Sequence, residues 1–348
     1  MNEDRIVWLI DAYRAGEQSQ VRALVEALPW HYESKKLAYR KHVVAPHVLG
    51  LSSLRGITQD SRALLKPPWP DLVVTCGVRN EPVCRWIRKQ SRGHSRYVHV
   101  GRPWGPLRDF DLVITTPQYR VAQVENVLNN TLTLHGVTQE KLSDARKQWQ
   151  DKFQHLPAPR FAIIVGGNSG PFTFGPVAAS RLAHQASAIA RQSGGSLLVS
   201  TSSRTDSEAV SALESGIDAA NYFYRWAPND PNNPYFGMLA LADQLIVTGD
   251  SIAMLSEACA TGKPVKMFDL GGMRGKSDIP TEFRLGARFY SWLMRFFWQH
   301  LSRDITLVHQ RLRDGGRAFW LEEELGVSML PAETDMQRAV SRIKALFG

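Results

Sequence analysis

The chain has 348 residues, 43% of them hydrophobic and 22% charged, with 26 Gly and 19 Pro. This is ordinary globular composition; it excludes a disordered, collagenous or coiled-coil chain and, at about 150 residues per domain, predicts about two domains. Lys and Arg outnumber Asp and Glu by 42 to 33, a net charge of +9 that attracts nucleic acid, anionic lipid or phosphorylated substrates without choosing among them.

The apolar run Ile6-Val7-Trp8-Leu9-Ile10 is too short for a signal peptide and reads as a strand buried on both faces. It leads through residues 11–20 into a helix over 21–28. Leu72-Val73-Val74 is the next strand, followed by Thr75-Cys76-Gly77 and a helix over 82–90; residues 97–100 and 112–114 add two more strands. Residues 139–153 are polar and helical in pattern. His155-Leu156-Pro157-Ala158-Pro159 then reads as a linker, because its prolines forbid a continuing helix. A second series of strands follows at 161–165, 197–199, 245–247 and 265–268, and residues 336–347 form a closing helix. Alternation of buried strands with helices predicts parallel sheets. The expected organisation is thus α/β with two Rossmann-like domains, 1–153 and 160–330, and a C-terminal helix at 331–348. Nowhere do 18 uncharged apolar residues follow one another, so no segment is expected to span a bilayer. Cys76, Cys84 and Cys259 are scattered and odd in number, which predicts neither a disulfide framework nor a cysteine zinc site and fits a cytoplasmic setting.

Ligands of open parallel sheets bind beyond the carboxyl ends of the strands, so the loops there carry the functional reading. Gly166-Gly167-Asn168-Ser169-Gly170 is either a plain glycine turn or a phosphate cradle of free backbone N–H groups. Thr201-Ser202-Ser203-Arg204 offers hydroxyls and a guanidinium, which suit either a helix cap or phosphate oxygens. Thr248-Gly249-Asp250-Ser251-Ile252-Ala253-Met254-Leu255-Ser256-Glu257-Ala258 opens a helix whose positive end favours a diphosphate, with Glu257 placed to accept from ribose hydroxyls. In the first half, the loop from Asp11 to Gln20 carries Asp11 and Glu17, either of which could act as a general base on an acceptor hydroxyl; the alternative places Asp11 in a turn and Glu17 in the first helical turn. His99, inside a strand, reads as a core histidine.

These motifs, together with Gly16-Glu17-Gln18-Ser19, Asn233-Pro234-Tyr235-Phe236-Gly237, Leu241-Ala242-Asp243 and Thr261-Gly262-Lys263-Pro264-Val265, resemble the mitochondrial-fission "elongated mitochondria" family from about Val7 to Phe268. Its bacterial members look like glycosyltransferases of the GT-B architecture. The resemblance implies two Rossmann-like domains facing across a cleft, with an acceptor on the first and a nucleotide-sugar donor on the second. By position it implies a donor site of Gly166, Gly167, Asn168, Ser169, Thr201, Ser202, Ser203, Arg204, Tyr235, Phe236, Asp250, Ser251, Met254, Ser256 and Glu257. It also implies no cofactor and no metal, the nucleotide-sugar being a co-substrate. Gly77-Val78-Arg79-Asn80 departs from the consecutive basic residues the family often carries there.

Residues 85–108 contain seven Lys or Arg and no acid. Residues 284–320 combine arginines with the aromatic run Phe289-Tyr290-Ser291-Trp292-Leu293-Met294-Arg295-Phe296-Phe297-Trp298, read either as a core helix with outward arginines or as an interfacial helix. The second suits a peripheral enzyme on the inner face of the cytoplasmic membrane that takes a glycan or lipid-linked acceptor of the cell envelope. No nucleic-acid-binding signature is present. The expected function is a metal-independent glycosyltransferase; the alternatives are a nucleotide-sugar epimerase or hydrolase of the same fold, and a membrane-associated adaptor without enzymatic activity.

Overall fold

The computed structural model describes residues 4–40, 50–274, 279, 282–296, 303–324 and 331–348, without the side chains of 15 and 291–296. It divides into two units, Met1–Gly136 with Ala332–Gly348, and Val137–Pro331.

The first unit is built from β1 (Val7–Ile10), α1 (Ala15–Glu26), β2 (Tyr32–Lys35), α2 (Gln59–Ala63), β3 (Leu72–Cys76), α3 (Glu81–Gln90), β4 (Arg96–Val100), β5 (Leu112–Thr115) and β6 (Val127–Asn129). Its six strands run in the order β2-β1-β3-β4-β5-β6, every pair parallel. The central strands are apolar on both faces because helices cover both, and β1, β3 and β5 are fully buried. α1 begins at Ala15, earlier than the residue 21 expected, and Glu17 lies in its first turn.

The second unit is built from α4 (Gln139–Phe153), β7 (Arg160–Ile164), α5 (Pro176–Ser193), β8 (Ser196–Ser200), α6 (Ser207–Gly216), β9 (Asn221–Tyr224), α7 (Tyr235–Leu241), β10 (Gln244–Thr248), α8 (Ile252–Ala260), β11 (Val265–Phe268), α9 (Leu285–Phe296), α10 (Thr306–Asp314) and β12 (Phe319–Trp320). Its order is β12-β11-β10-β7-β8-β9, again all parallel. Counted from β7, this is the 3-2-1-4-5-6 Rossmann order, whose switch point lies between β7 and β10.

Two boundaries differ from expectation. α4 was expected to close the first domain, yet Trp149 packs against the backbone of Gly237 and Arg146 Nη2 donates to the Ala240 carbonyl, both on α7. The last helix, α11 (Asp335–Lys344), is no separate closing element. Its Ala339 and Ile343 are wholly buried in the first unit's core with Val7, Val21 and Leu72. The three cysteines are free and buried. No helix is long and apolar enough to cross a membrane among the described residues.

Candidate active site

The three loops that the sequence singles out in the second unit meet at the carboxyl ends of β7, β8 and β10. Gly166 N–H donates to Thr248 Oγ1 at 2.8 Å, and Gly167 N–H to Asp250 Oδ2 at 3.0 Å. The buried Asp250 carboxylate pairs with Arg204 Nη2 at 2.9 Å, while Arg204 Nη1 donates to the Asn168 carbonyl at 3.2 Å. Burial raises the Asp250 carboxyl, and the Arg204 charge opposes that rise. Ser202 Oγ and Thr205 Oγ1 both donate to the Gly166 carbonyl. Asn168 Nδ2 donates to Asp206 Oδ2 at 2.6 Å, Asn168 Oδ1 accepts Phe174 N–H, and Ser169 Oγ accepts from Arg303 Nη2.

This clasp explains both glycines. A Cβ on Gly166 would lie 2.3 Å from Asp250 Oδ2; one on Gly167, at φ +147°, would lie 2.1 Å from the Arg204 carbonyl oxygen. The expected cradle of free amides at 166–169 is therefore corrected. The amides of Gly166, Gly167, Asn168 and Ser169 all donate to protein acceptors, and the glycines admit neighbouring loops rather than a ligand.

A set of backbone donors without an acceptor among the described residues stands beside the clasp, at the start of α8. Ser251, at its N-cap, makes no side-chain capping bond, and no described residue accepts from the amides of Ile252, Ala253 and Met254. These groups carry the positive end of the helix dipole. Arg204 is 38% exposed next to them, and Ser203 is exposed. Two other expected contacts are spent on the fold. Thr201 is buried and accepts Trp226 N–H at 2.9 Å, and Ser256, fully buried, donates to the Ile252 carbonyl within its own helix.

Glu257, on the second turn of α8, is half-buried and accepts a hydrogen bond from Tyr235 Oη. Burial raises its carboxyl, and the Tyr235 hydroxyl opposes the rise. Phe236 packs edge-on to Tyr235, with ring centroids 5.9 Å apart.

Sequence reasoning missed two contributors. His309 Nε2 meets the Gly249 carbonyl at 2.6 Å from beneath the β10 turn. Glu282 accepts from the amides of Gly175, Val177 and Ala178, so the start of α5 is already filled by a carboxylate. Each partner lies sixty or more residues away along the chain, where no local pattern could reveal it. The aromatic run at 289–298 is described only at Phe289 and Tyr290; the rest of it lies outside the described side chains. At the start of α9, Phe283, Leu285 and Phe289 are 70%, 75% and 61% exposed.

In the first unit, Asp11 Oδ1 accepts from Gln18 Nε2 at 2.8 Å and from Ser34 Oγ at 2.5 Å, which ties the loop to α1 and β2. Glu17 lies over Gly77, where a Cβ would be 3.3 Å from its Oε2, and is 3.7 Å from Arg14. The buried Asn80 amide bridges the ends of β1 and β3, donating to Thr75 Oγ1 at 2.6 Å and to the Asp11 carbonyl at 3.0 Å. The loop that departs from the family pattern thus holds Asp11's backbone in place. His99 is a core residue, wholly buried, with its pKa lowered by that burial.

The model of the Mitochondrial fission ELM1 family matches residues 15–282. The chain is 27% identical over 244 residues to the Mitochondrial fission protein ELM1 of Arabidopsis thaliana, a match covering 62% of this chain and 57% of that protein, little over half its length. It is 26% identical over 298 residues to an uncharacterized protein of Rickettsia prowazekii (strain Madrid E), covering 75% of this chain and 82% of that one. Among solved structures it is similar to a glycosyltransferase from Rickettsia africae ESF-5, with 10% identity, 100% of each chain covered and a TM-score of 0.45. The chain belongs to the Mitochondrial fission ELM1 family.

Proposed function

From that membership as premise, we propose that the chain is a metal-independent glycosyltransferase that uses a nucleoside diphosphate sugar. The observation that carries this reading is the uncapped first turn of α8 at the switch point of a Rossmann-ordered sheet, flanked by Arg204 and, in the second turn, by Glu257. In this reading the amides of Ile252, Ala253 and Met254 and the Arg204 guanidinium hold the diphosphate. Glu257 accepts from the ribose hydroxyls, and Phe236 lies toward the base. The clasp of Gly166, Gly167, Asn168, Ser202 and Asp250 keeps these groups in register rather than touching the diphosphate. An acceptor hydroxyl then attacks the anomeric carbon. Its proton passes to a carboxylate acting as general base as the bond to the diphosphate breaks, and the leaving diphosphate keeps the electron pair. Glu17, in the first turn of α1 beside Arg14, is the base proposed, with Asp11 as the alternative.

The proposed acceptor is a glycan or lipid-linked molecule of the cell envelope, reached at the inner membrane face. Exposed Phe283 and Leu285 beside Arg288 would rest on anionic lipid. Binding of the chain to vesicles of phosphatidylglycerol but not of phosphatidylcholine is expected in co-sedimentation, and Phe283→Ser with Leu285→Ser should abolish it. Equal binding by that double variant would refute this placement.

The central test is calorimetric titration with UDP, ADP and GDP. At least one should bind, and Glu257→Ala should weaken it by about tenfold or more, the range expected for a lost hydrogen bond to a charged group. Glu17→Ala should leave that affinity intact and slow transfer by roughly a hundredfold or more, as loss of a general base does. No binding of any of the three would sink the proposal. A donor converted to an isomer with no acceptor present would favour the epimerase instead.

A further inference from the structure

Tyr235 and Glu257 lie on different helices, 22 positions apart, and one hydrogen bond joins them, from Tyr235 Oη to Glu257 Oε2 at 2.5 Å. Burial and the neighbouring carboxylate keep the phenol protonated well above neutral pH, so it is always the donor. Tyr235 is held firmly. Its N–H donates to Asn233 Oδ1 at 3.0 Å. The helix it opens is pinned at its other end by Lys263 Nζ, which donates to the carbonyls of Leu239, Ala240 and Ala242 at 2.6 to 2.8 Å. Between the two, Gly237 lets the helix backbone lie against Trp149, where a Cβ would fall 2.4 Å from the indole.

A glutamate on an open helix face rotates about three torsions, and a free carboxylate samples many directions. The phenol removes that freedom by fixing Oε2. Oε1, which accepts from no described residue, is left pointing in one direction. A carboxylate so fixed can accept from two adjacent hydroxyls at once, one on each oxygen. A site built around two such bonds rejects an analogue that lacks one of them, because a charged acceptor is then left unmet.

We infer that Tyr235 is the positioning residue that makes Glu257 selective for a vicinal diol, so that the site takes ribonucleoside diphosphates and discriminates against their 2′-deoxy counterparts. This inference rests on the donor-site reading above and deepens it. Tyr235 touches no reacting atom; it acts through Glu257.

The test compares affinities for UDP, ADP and GDP with those for their 2′-deoxy forms, in the full chain and in three variants. The unsubstituted chain should prefer the ribo form of whichever nucleotide binds by about tenfold or more, the scale of a charge-assisted bond. Tyr235→Phe keeps the ring and removes only the hydroxyl. It should melt close to the unsubstituted chain and bind the 2′-deoxy form unchanged. Its ribo preference should fall below about threefold, because the carboxylate is no longer oriented. Glu257→Gln should lose the preference in the same way, and the double variant should lose nothing further. If Tyr235→Phe weakens both forms equally, or keeps the full preference, Tyr235 merely packs and the inference fails while the donor site stands. If the unsubstituted chain binds a nucleotide with no preference between the two forms, the inference also fails alone. If it binds no nucleotide at all, this inference and the donor-site reading fall together.

Discussion

At the scale of single residues, His309 ties stability to pH. Its ring is sealed between the Gly249 carbonyl and the Trp320 indole, whose centroid is 5.1 Å away, and its Nδ1 has no hydrogen-bond partner among the described residues. A proton on Nδ1 would leave a buried, unpaired charge, so burial lowers its pKa from 6.5 to about 4, against opposing pulls from the Gly249 carbonyl, Asp269 and Asp304. The sign follows from which state takes up the proton first. Below 6.5 the unfolded chain protonates this histidine while the folded chain does not, so stability falls as pH drops from 6.5 toward 4 and levels off below that. A gap of roughly 2.5 in pKa, at about 1.4 kcal/mol for each unit, amounts to about 3 kcal/mol. Urea unfolding at pH 7, 5.5 and 4.5 should show this acid-side decline in the unsubstituted chain and a shallower one in His309→Gln, which keeps a donor toward Gly249 but cannot titrate. Parallel declines in the two proteins would put the acid sensitivity elsewhere. Since His309 supports the turn that leads into α8, its protonation would also disturb the amides that face the proposed diphosphate.

At the scale of elements, α7 shows why a motif can be legible and its role not. Lys263 belongs to a stretch that the sequence groups with the ligand loops, yet its ammonium caps the carboxyl end of α7, where three carbonyls gather. Burial lowers it to about 8, so it still carries its charge at neutral pH. Lys263→Met keeps the aliphatic stem and removes the donors. It should cost about 1–3 kcal/mol, as expected when hydrogen bonds from a charged group are lost. In calorimetry the melting temperature should fall by several degrees, and ribonucleotide binding should weaken along with it because α7 carries Tyr235. An unchanged melting temperature would mean that the capping contributes nothing. Strands follow a related rule. Those read from sequence, such as the strands around Leu72-Val73-Val74 and Leu245-Ile246-Val247, are interior and carry an unbroken buried apolar run. The four that escaped notice, Tyr32–Lys35, Val127–Asn129, Asn221–Tyr224 and Phe319–Trp320, are the four sheet edges. An edge strand pairs on one side only and tolerates polar residues, as in Tyr32-Glu33-Ser34-Lys35, so the apolar run that marks an interior strand is missing. The site divides in the same way. Loops that follow interior strands were visible as glycine and hydroxyl clusters, whereas the bonds that assign each member to ligand or clasp join residues far apart in the chain, such as Gly167 to Asp250.

At the scale of the whole molecule, the first unit is discontinuous, and its core includes residues of α11, far along the chain from the strands it packs on. The spacing of Met336, Ala339, Val340 and Ile343 marks an amphipathic helix, but periodicity alone does not say which sheet it covers. Long-range bonds decide it. The Asp335 carboxylate accepts from the amides of Thr131 and Leu132, each at 3.0 Å, and its carbonyl accepts from Asn130 Nδ2 at 3.2 Å. Thr334 and Gln337 form a reciprocal cap that starts the helix at the residue those bonds require. Ile343, wholly buried, completes the core around Val7 and Leu24. Ile343→Ala alone should cost about 2–5 kcal/mol, the range for emptying a core site. Deleting residues 332–348 removes the whole face together with the Asp335 bonds, and should leave the first unit unfolded or melting far earlier. The second unit, continuous from Val137 to Pro331, has its own core and contains every residue of the proposed donor site. Differential scanning calorimetry of the truncated chain should therefore lose or shift one transition and keep the other, while whichever nucleoside diphosphate the full chain binds still stabilises the transition that remains. Loss of both transitions would show that the second unit needs the first in order to fold. Retention of both at their original temperatures would show that the C-terminal helix is dispensable, and that the core assigned to it closes without Ala339 and Ile343.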